Sequence, residues 1–184
     1  MFEEIKLLAP TEQSIVVQTR KRTNIKNVIE PEPGFPQRRN YQRLREKYGR
    51  QWEPRKPATG GYNCAGHVWA SRRTALSNPQ DWRVILDEDG YRRLPGGEEP
   101  RPGDLVLYVD IENDEFLHVG EIVELRAGVA PQAERIAWVL SKLGPAYGEL
   151  MHYVQDLLSL FADLGFRVRI EYWTDRPLGK GERA

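Results

Sequence analysis

This sequence has a single cysteine, no net charge and no long apolar run, and each of these features limits the class of protein to which it can belong. One cysteine in 184 residues excludes an intrachain disulfide, so the chain is unlike the small secreted domains that depend on such bonds. Its first residues are acidic, without the apolar core of a secretory signal peptide, and no apolar run is long enough to span a bilayer. We therefore expect a cytoplasmic protein, or one exported without a cleaved signal peptide, that does not bind membranes.

The net charge is zero, but the charged residues are unevenly distributed along the chain. Lys and Arg number 27, as do Asp and Glu, yet residues 20–56 carry twelve basic and four acidic residues, a net charge of +8. Residues 38–48 are predicted to form a basic helix in this segment, and such a helix is a candidate for contact with nucleic acid or an acidic partner. No base-stacking or helix-turn-helix motif accompanies it. We therefore expect the helix to dock on the acidic remainder of the chain, and we do not expect nucleic-acid binding.

The one cysteine, Cys64, lies where a helix start would stabilise a thiolate. It follows a glycine pair, and the apolar residues after it recur at helical spacing, which predicts a helix that begins near Cys64 with Asn63 as its N-cap. The free N–H groups and the dipole at such a position lower a cysteine pKa and can hold an oxyanion. A buried structural cysteine is the alternative, because free cysteines are among the most buried residues. The glycine approach and the capping residue favour a nucleophile.

A nucleophile of this kind needs a base, and the chain offers three histidines, His67, His118 and His152. His118 is the best placed of them. Residues 104–110 and 115–125 are β-rich runs separated by a turn, so they predict a β-hairpin with His118 near the start of its second strand. A cysteine at a helix start that faces a histidine on a neighbouring sheet can act with it as nucleophile and base.

Three blocks of the sequence resemble the core of a known family. Residues 63–68, 102–108 and 118–122 are similar, in residue types, order and spacing, to the motifs of NlpC-type cysteine peptidases, a branch of the papain-like fold that includes the CHAP amidases. Where that family usually has Asp-Cys-Ser-Gly and then an aromatic residue, this chain has Asn63, Ala65 and His67. The resemblance covers roughly residues 58 to 145.

The resemblance implies an α+β, papain-like (NlpC-type) fold in which the nucleophile helix packs on an antiparallel sheet. It implies a cysteine hydrolase of amide or isopeptide bonds, as a peptidase, amidase or deamidase, with Cys64 as nucleophile and His118 as general base. The implied substrate is a peptide or protein, a peptidoglycan peptide being one candidate, and no cofactor is implied. The alternative function is a catalytically inactive papain-like binding module, an effector or defence component that recruits a partner through its basic extension.

A third residue normally orients the histidine of such a site, and two candidates stay open. Ser141 ends a β-rich run that is predicted to pair antiparallel with the strand of His118, so position favours Ser141. A second motif, Ser-Lys-Leu-Gly at 141–144 followed by Gly-Glu and then His152, resembles a stretch of uncharacterised papain-like proteins and favours His152. Residues 150–164 carry an apolar stripe at helical spacing, which would make His152 a helix-surface residue instead.

Zinc binding is an alternative use of the same side chains, namely Cys64, His67, His118 and His152. Structural zinc sites gather cysteines in closely spaced pairs and this chain has one, so we expect no metal and expect His67 to pack beside the site.

The predicted domain division has three parts. A basic N-terminal extension spans residues 1–57, and a papain-like catalytic domain spans residues 58–175 and ends in a strand over 166–173. A flexible tail is predicted at 176–184.

Overall fold

The computed structural model describes residues 14–50, 52–127 and 135–177. Within these ranges the chain forms an α+β fold of four α-helices, one 3₁₀-helix and seven strands, and none of the helices is long and apolar enough to cross a membrane. In chain order the elements are α1 (Phe35–Tyr48), β1 (Glu53–Lys56), α2 (Cys64–Trp69), α3 (Pro79–Glu88), β2 (Arg92–Arg93), β3 (Leu105–Asp110), β4 (Phe116–Arg126), β5 (Ile136–Lys142), β6 (Glu149–Tyr153), the 3₁₀-helix (Val154–Leu157), α4 (Leu158–Asp163) and β7 (Val168–Thr174).

All seven strands lie in one antiparallel sheet, in the order β1-β6-β5-β4-β3-β7-β2. The predicted hairpin is confirmed as β3 and β4, and the predicted strands beside it and near the C-terminus are confirmed as β5 and β7. Helix α2 packs on β4 and β5. The predicted packing of the cysteine helix on an antiparallel sheet is therefore confirmed.

The sheet separates two hydrophobic cores. On the face covered by α2 and α3, which we call the α2 face, Cys64 packs in one cluster with Leu107 and Val119. On the opposite face, the α4 face, Tyr108 packs in a second cluster with Phe161 of α4. Neighbouring residues of a strand point to opposite faces, so each central strand contributes side chains to both clusters.

A β-bulge in the hairpin determines which residues of β4 reach which cluster. Tyr108 pairs with His118 whereas Val109 pairs with Phe116, so Leu117 is the additional residue of the bulge. Phe116 lies in the α2-face cluster. His118, directly opposite Tyr108, lies on the α4 face.

The helix predicted over residues 150–164 is wrong for its first four residues. Residues 149–153 form β6, because they pair with β5 on one side and with β1 on the other. The helical spacing of apolar residues predicts the structure correctly only after Tyr153, where the chain forms the 3₁₀-helix and α4. His152 is consequently a buried strand residue and not a helix-surface residue.

The apolar residues after Cys64 recur at helical spacing as far as Leu76, but helix α2 is shorter than this spacing predicts. It ends at Trp69, and Ser71 and Arg72 take positive φ values of 49° and 64° that turn the chain back. Gly66 permits the close return of this segment, since a Cβ at that position would lie 1.8 Å from the carbonyl oxygen of Thr74. The result is a six-residue helix wedged against the sheet.

The N-terminal extension is built into the body of the protein. Helix α1 confirms the predicted basic helix, and it docks on the body through Lys47 and Tyr48, which bond to Oδ2 of Asp163 at 2.7 and 2.6 Å. Strand β1 pairs with β6 at one edge of the sheet. The start of the predicted tail is also held, because Arg176 pairs with Asp104. The remainder of that tail, and residues 1–13, lie outside the described ranges.

Candidate functional site

Cys64 is the first residue of α2, and the predicted position of the thiol at a capped helix start is confirmed. Oδ1 of Asn63 accepts hydrogen bonds from the backbone N–H groups of Gly66 at 2.9 Å and of Leu76 at 3.0 Å. The first bond caps the helix, and the second ties its start to the returning segment.

The surroundings of this thiol differ from those of a reactive cysteine. Cys64 is 6% exposed. Burial raises its pKa to about 11, although hydrogen bonds with backbone groups of Val119 and Ala65 and the charge of Lys142 act in the opposite direction. Since the thiolate is the nucleophilic form, burial in this hydrophobic cluster acts against nucleophilic reactivity of Cys64.

His118 lies on the other side of the sheet from this thiol. Its imidazole contacts the rings of Tyr108 and Phe161 on the α4 face, with centroid distances of 5.6 and 6.4 Å. Val119, the next residue of β4, points to the α2 face and packs in the cluster of Cys64. No hydrogen bond joins Cys64 to any of the three histidines, all of which lie in the described ranges. The predicted contact between nucleophile and base is therefore not formed in this structure.

His118 is buried as a neutral imidazole with an unsatisfied nitrogen. The residue is 2% exposed, and burial, together with the charges of His152 and His67, lowers its pKa to about 3. Its Nε2 atom makes no hydrogen bond with any residue that the structure describes. Such an atom is uncommon in a folded protein, because a buried polar group without a partner costs about 1–3 kcal/mol.

Ser141 and His152, the two candidates for the orienting residue, bond to each other. Oγ of Ser141 lies 2.9 Å from Nε2 of His152, and Nδ1 of His152 lies 2.8 Å from the carbonyl oxygen of Tyr153. Nδ1 therefore donates its proton to the carbonyl, and Nε2 accepts from the serine hydroxyl. Burial lowers the pKa of His152 to about 4, so the ring is neutral at pH 7. Both side chains are satisfied by this pair, and neither orients His118.

A cluster of polar residues on the α2 face, which sequence reasoning missed, centres on Glu149. Oε1 of this buried carboxylate accepts hydrogen bonds from Oη of Tyr62 and Nε of Arg72, both at 2.6 Å. Nδ1 of His67 lies 3.3 Å from the same oxygen without the geometry of a hydrogen bond, and Nζ of Lys56 lies 3.7 Å from it. Burial alone would raise the pKa of Glu149, but these neighbours hold that pKa below its usual value. Burial lowers the pKa of His67.

Lys142 is a second charged residue, which belongs to the motif at 141–144 but to which sequence reasoning assigned no role. Its side chain is fully buried, and Nζ donates to the carbonyl oxygens of Thr59, Gly144 and Pro145 at 2.9, 2.6 and 2.8 Å. Burial lowers its pKa to about 8. Three acceptors occupy all three donors of the ammonium, so Lys142 joins two loops. Charged residues directly beside apolar strand residues, as Lys142 is at the end of β5 and Glu149 at the start of β6, give the signal that could have identified both.

The four side chains of the zinc alternative do not converge. Cys64 and His67 belong to α2, whereas His118 and His152 lie on the α4 face. Across the three described ranges there is no group of three or more His, Cys, Asp or Glu side chains placed to hold a metal ion.

A cavity of about 310 Å³ adjoins His118 between α1, β4 and α4. Its polar lining is limited to His118 and to Asn40 and Tyr147, where Nδ2 of Asn40 lies 3.4 Å from the tyrosine Oη. Leu164, which is 61% exposed, marks the opening. The other lining residues are apolar, and together they are Leu44, Leu117, Leu143, Leu160, Phe161 and Leu164.

The chain matches no protein-family model, no curated protein and no solved structure.

Proposed function

We propose that this domain binds a small ligand in the cavity beside His118 and that Cys64 does not act as a nucleophile. The observation that carries the proposal is the buried Nε2 atom of His118, which lacks a hydrogen-bond partner and belongs to a residue that lines the cavity. A ligand that bonds to this imidazole would remove the cost of about 1–3 kcal/mol that an unsatisfied buried polar atom imposes. Binding is therefore favoured by the free energy of this hydrogen bond, which none of the described residues of the free protein supplies.

The form of the cavity supports this function. Binding sites for small molecules are usually concave and mainly apolar, with a few polar groups and a volume of about 300–1,000 Å³. This cavity, at about 310 Å³, lies at the small end of that range. Because α1 contributes Asn40 and Leu44 to its wall, the N-terminal extension completes the site. We assign this role to the extension in place of recruitment of a partner by charge.

The proposal corresponds to the inactive binding module among the functions that the sequence suggests. Thiolate hydrolysis needs a base within hydrogen-bond reach of the thiol, at about 2.6–3.2 Å. Cys64 and His118 lie against opposite faces of the sheet, which is an argument against that chemistry. A papain-like ancestry stays part of the proposal, supported by the cysteine helix packed on an antiparallel sheet and by the chain order of the three sequence blocks.

A fragment screen by NMR tests the proposal. Isotope-labelled protein is titrated with a library of small apolar and aromatic molecules, and we expect the fragments that bind to shift the signals of cavity residues such as Leu117, His118 and Leu143. Leu164→Trp, at the exposed opening, should obstruct the cavity and abolish these shifts. Val16→Trp, at a position that is 77% exposed and outside the cavity, is the matched control and should leave them intact.

Two results would overturn the proposal. One is a screen in which no fragment shifts the signals of the cavity residues. The other is a set of shifts that persists unchanged in the Leu164→Trp variant, because the fragments would then bind elsewhere.

A further inference from the structure

We propose that the ligand of this cavity is a small uncharged alcohol or phenol, whose hydroxyl group bonds to His118 and whose apolar body fills the remaining volume. The inference rests on the proposed function and adds the chemical class of the ligand. It follows from three properties of the lining: the absence of charge among the lining residues, the presence of the unsatisfied imidazole of His118 among them, and the apolar character of most of the others.

The lining of the cavity excludes an ionic ligand. None of its residues carries a charge at neutral pH, since His118 is buried as the neutral imidazole. Near the cavity, Lys47 of α1 and Asp163 of α4 pair with each other at 2.7 Å. A buried carboxylate or ammonium group would lose its hydration without gaining an opposite charge, which is costly. A neutral ligand has no such cost.

The imidazole of His118 selects a hydroxyl group. In a neutral imidazole each nitrogen is either a donor or an acceptor, depending on the tautomer. A ketone or an ether can only accept a hydrogen bond, so each matches one tautomer. A hydroxyl group both donates and accepts, so it satisfies Nε2 in either tautomer. The hydroxyl is therefore the group most complementary to the imidazole of His118.

The rest of the site favours a compact apolar body. Six apolar side chains line the cavity, among them the ring of Phe161, against which an aromatic ligand can pack edge to face. The two remaining polar side chains, Asn40 and Tyr147, lie within hydrogen-bond distance of each other. This hydrogen bond is exposed, so solvent can satisfy their remaining donors and acceptors. A phenol with a small alkyl group presents one hydroxyl and an otherwise apolar surface, as this lining requires.

Three probe molecules of similar size, p-cresol, toluene and benzoate, test the need for a hydroxyl group and for a neutral ligand separately. Each is titrated into the full chain near neutral pH. We expect p-cresol to bind about tenfold more tightly than toluene, because only p-cresol satisfies His118. Benzoate should show no binding at the same concentrations. In wild-type protein the nitrogen-15 signal of the His118 imidazole should move with p-cresol and stay in place with toluene.

His118→Phe keeps a ring of similar shape and removes both nitrogens, so it should bring the affinities for p-cresol and toluene to about the same value. If this variant does not fold, the imidazole signal of the wild-type protein decides the question. Equal affinities of p-cresol and toluene in the wild type, or tighter binding of benzoate, would overturn the inference while leaving cavity binding intact. Failure of the whole fragment screen would instead overturn the proposed function.

Discussion

Cys64 experiences two opposing effects, since a helix start favours its thiolate and a hydrophobic cluster favours its thiol. The interaction of a charge with a helix terminus contributes about 0.3–1 kcal/mol at exposed sites. Full burial shifts a pKa by up to about 3–5 units, and each unit corresponds to 1.36 kcal/mol. Burial is the larger effect, and the pKa of about 11 reflects it.

Alkylation of Cys64 by iodoacetamide should therefore be slow in the native protein. At about pH 7.5 a thiol of pKa about 11 is ionised about 300-fold less than an ordinary cysteine of pKa about 8.5, and burial slows the reagent further. Mass spectrometry should show modification in denaturant and little in its absence, with Cys64→Ala as the unmodified control. Rapid native labelling at a pH below 8.5 would instead support the hydrolase that the sequence predicts.

Among the elements, β4 shows which part of the site could be predicted and which could not. Two β-rich runs separated by turn residues identify the β3-β4 hairpin, and the glycine pair with Asn63 identifies the start of α2. The face on which His118 lies depends on one additional residue, Leu117, at the bulge. A shift of one residue moves every following side chain of a strand to the opposite face, and nothing in the local sequence marks this bulge.

The cavity could not be predicted for a different reason. Its walls combine α1, β4 and α4, which are remote in sequence and meet only through packing. Residues 149–153 are also too few to show the alternation of a strand, and the helical spacing that follows them obscures β6. Long-range pairing with β1 and β5, rather than local preference, determines that segment.

Lys142 gives a prediction about how the elements are joined. Lys142→Met should destabilise the fold by about 3 kcal/mol, because it leaves three buried carbonyl oxygens without donors, a cost that relief of the buried charge only partly offsets. Urea denaturation measures the change. Lys56→Met is the control, because this side chain is 54% exposed and lies near Glu149. It should lower the free energy of unfolding by less than about 1 kcal/mol. Equal effects of the two substitutions would contradict a structural role for the Lys142 ammonium.

For the molecule as a whole, the buried histidines predict acid instability. His118 and His152 have pKa values of about 3 and about 4 in the folded protein, against about 6.5 when unfolded. The unfolded chain therefore binds more protons between these values, so their contribution is complete above about pH 6.5 and is lost as the pH falls toward 4. At about pH 5 each histidine should lower the free energy of unfolding by about 2 kcal/mol.

Urea denaturation at about pH 7.5 and about pH 5 tests this, and His118→Phe should remove about half of the difference. His67 contributes in the same direction, because burial lowers its pKa as well. Carboxylates with lowered pKa values in the folded protein, such as Glu149, stay ionised in it at both pH values, so they contribute little to the difference. An unfolding free energy that is the same at both pH values would show that these imidazoles are not buried in the neutral form.

This protein has no net charge at pH 7 and therefore no long-range electrostatic repulsion between its copies. The two border strands of its sheet consequently matter for association between molecules. A border strand offers free backbone groups to which another chain can add. Here one border is the four-residue strand β1, whose residues Glu53, Pro54, Arg55 and Lys56 are all exposed, and the other is the arginine pair of β2. A proline that lacks an N–H group, local charges and short length each discourage growth of the sheet from one molecule into the next. The two shortest strands of the sheet, rather than the overall composition, thus oppose edge-to-edge association of this protein.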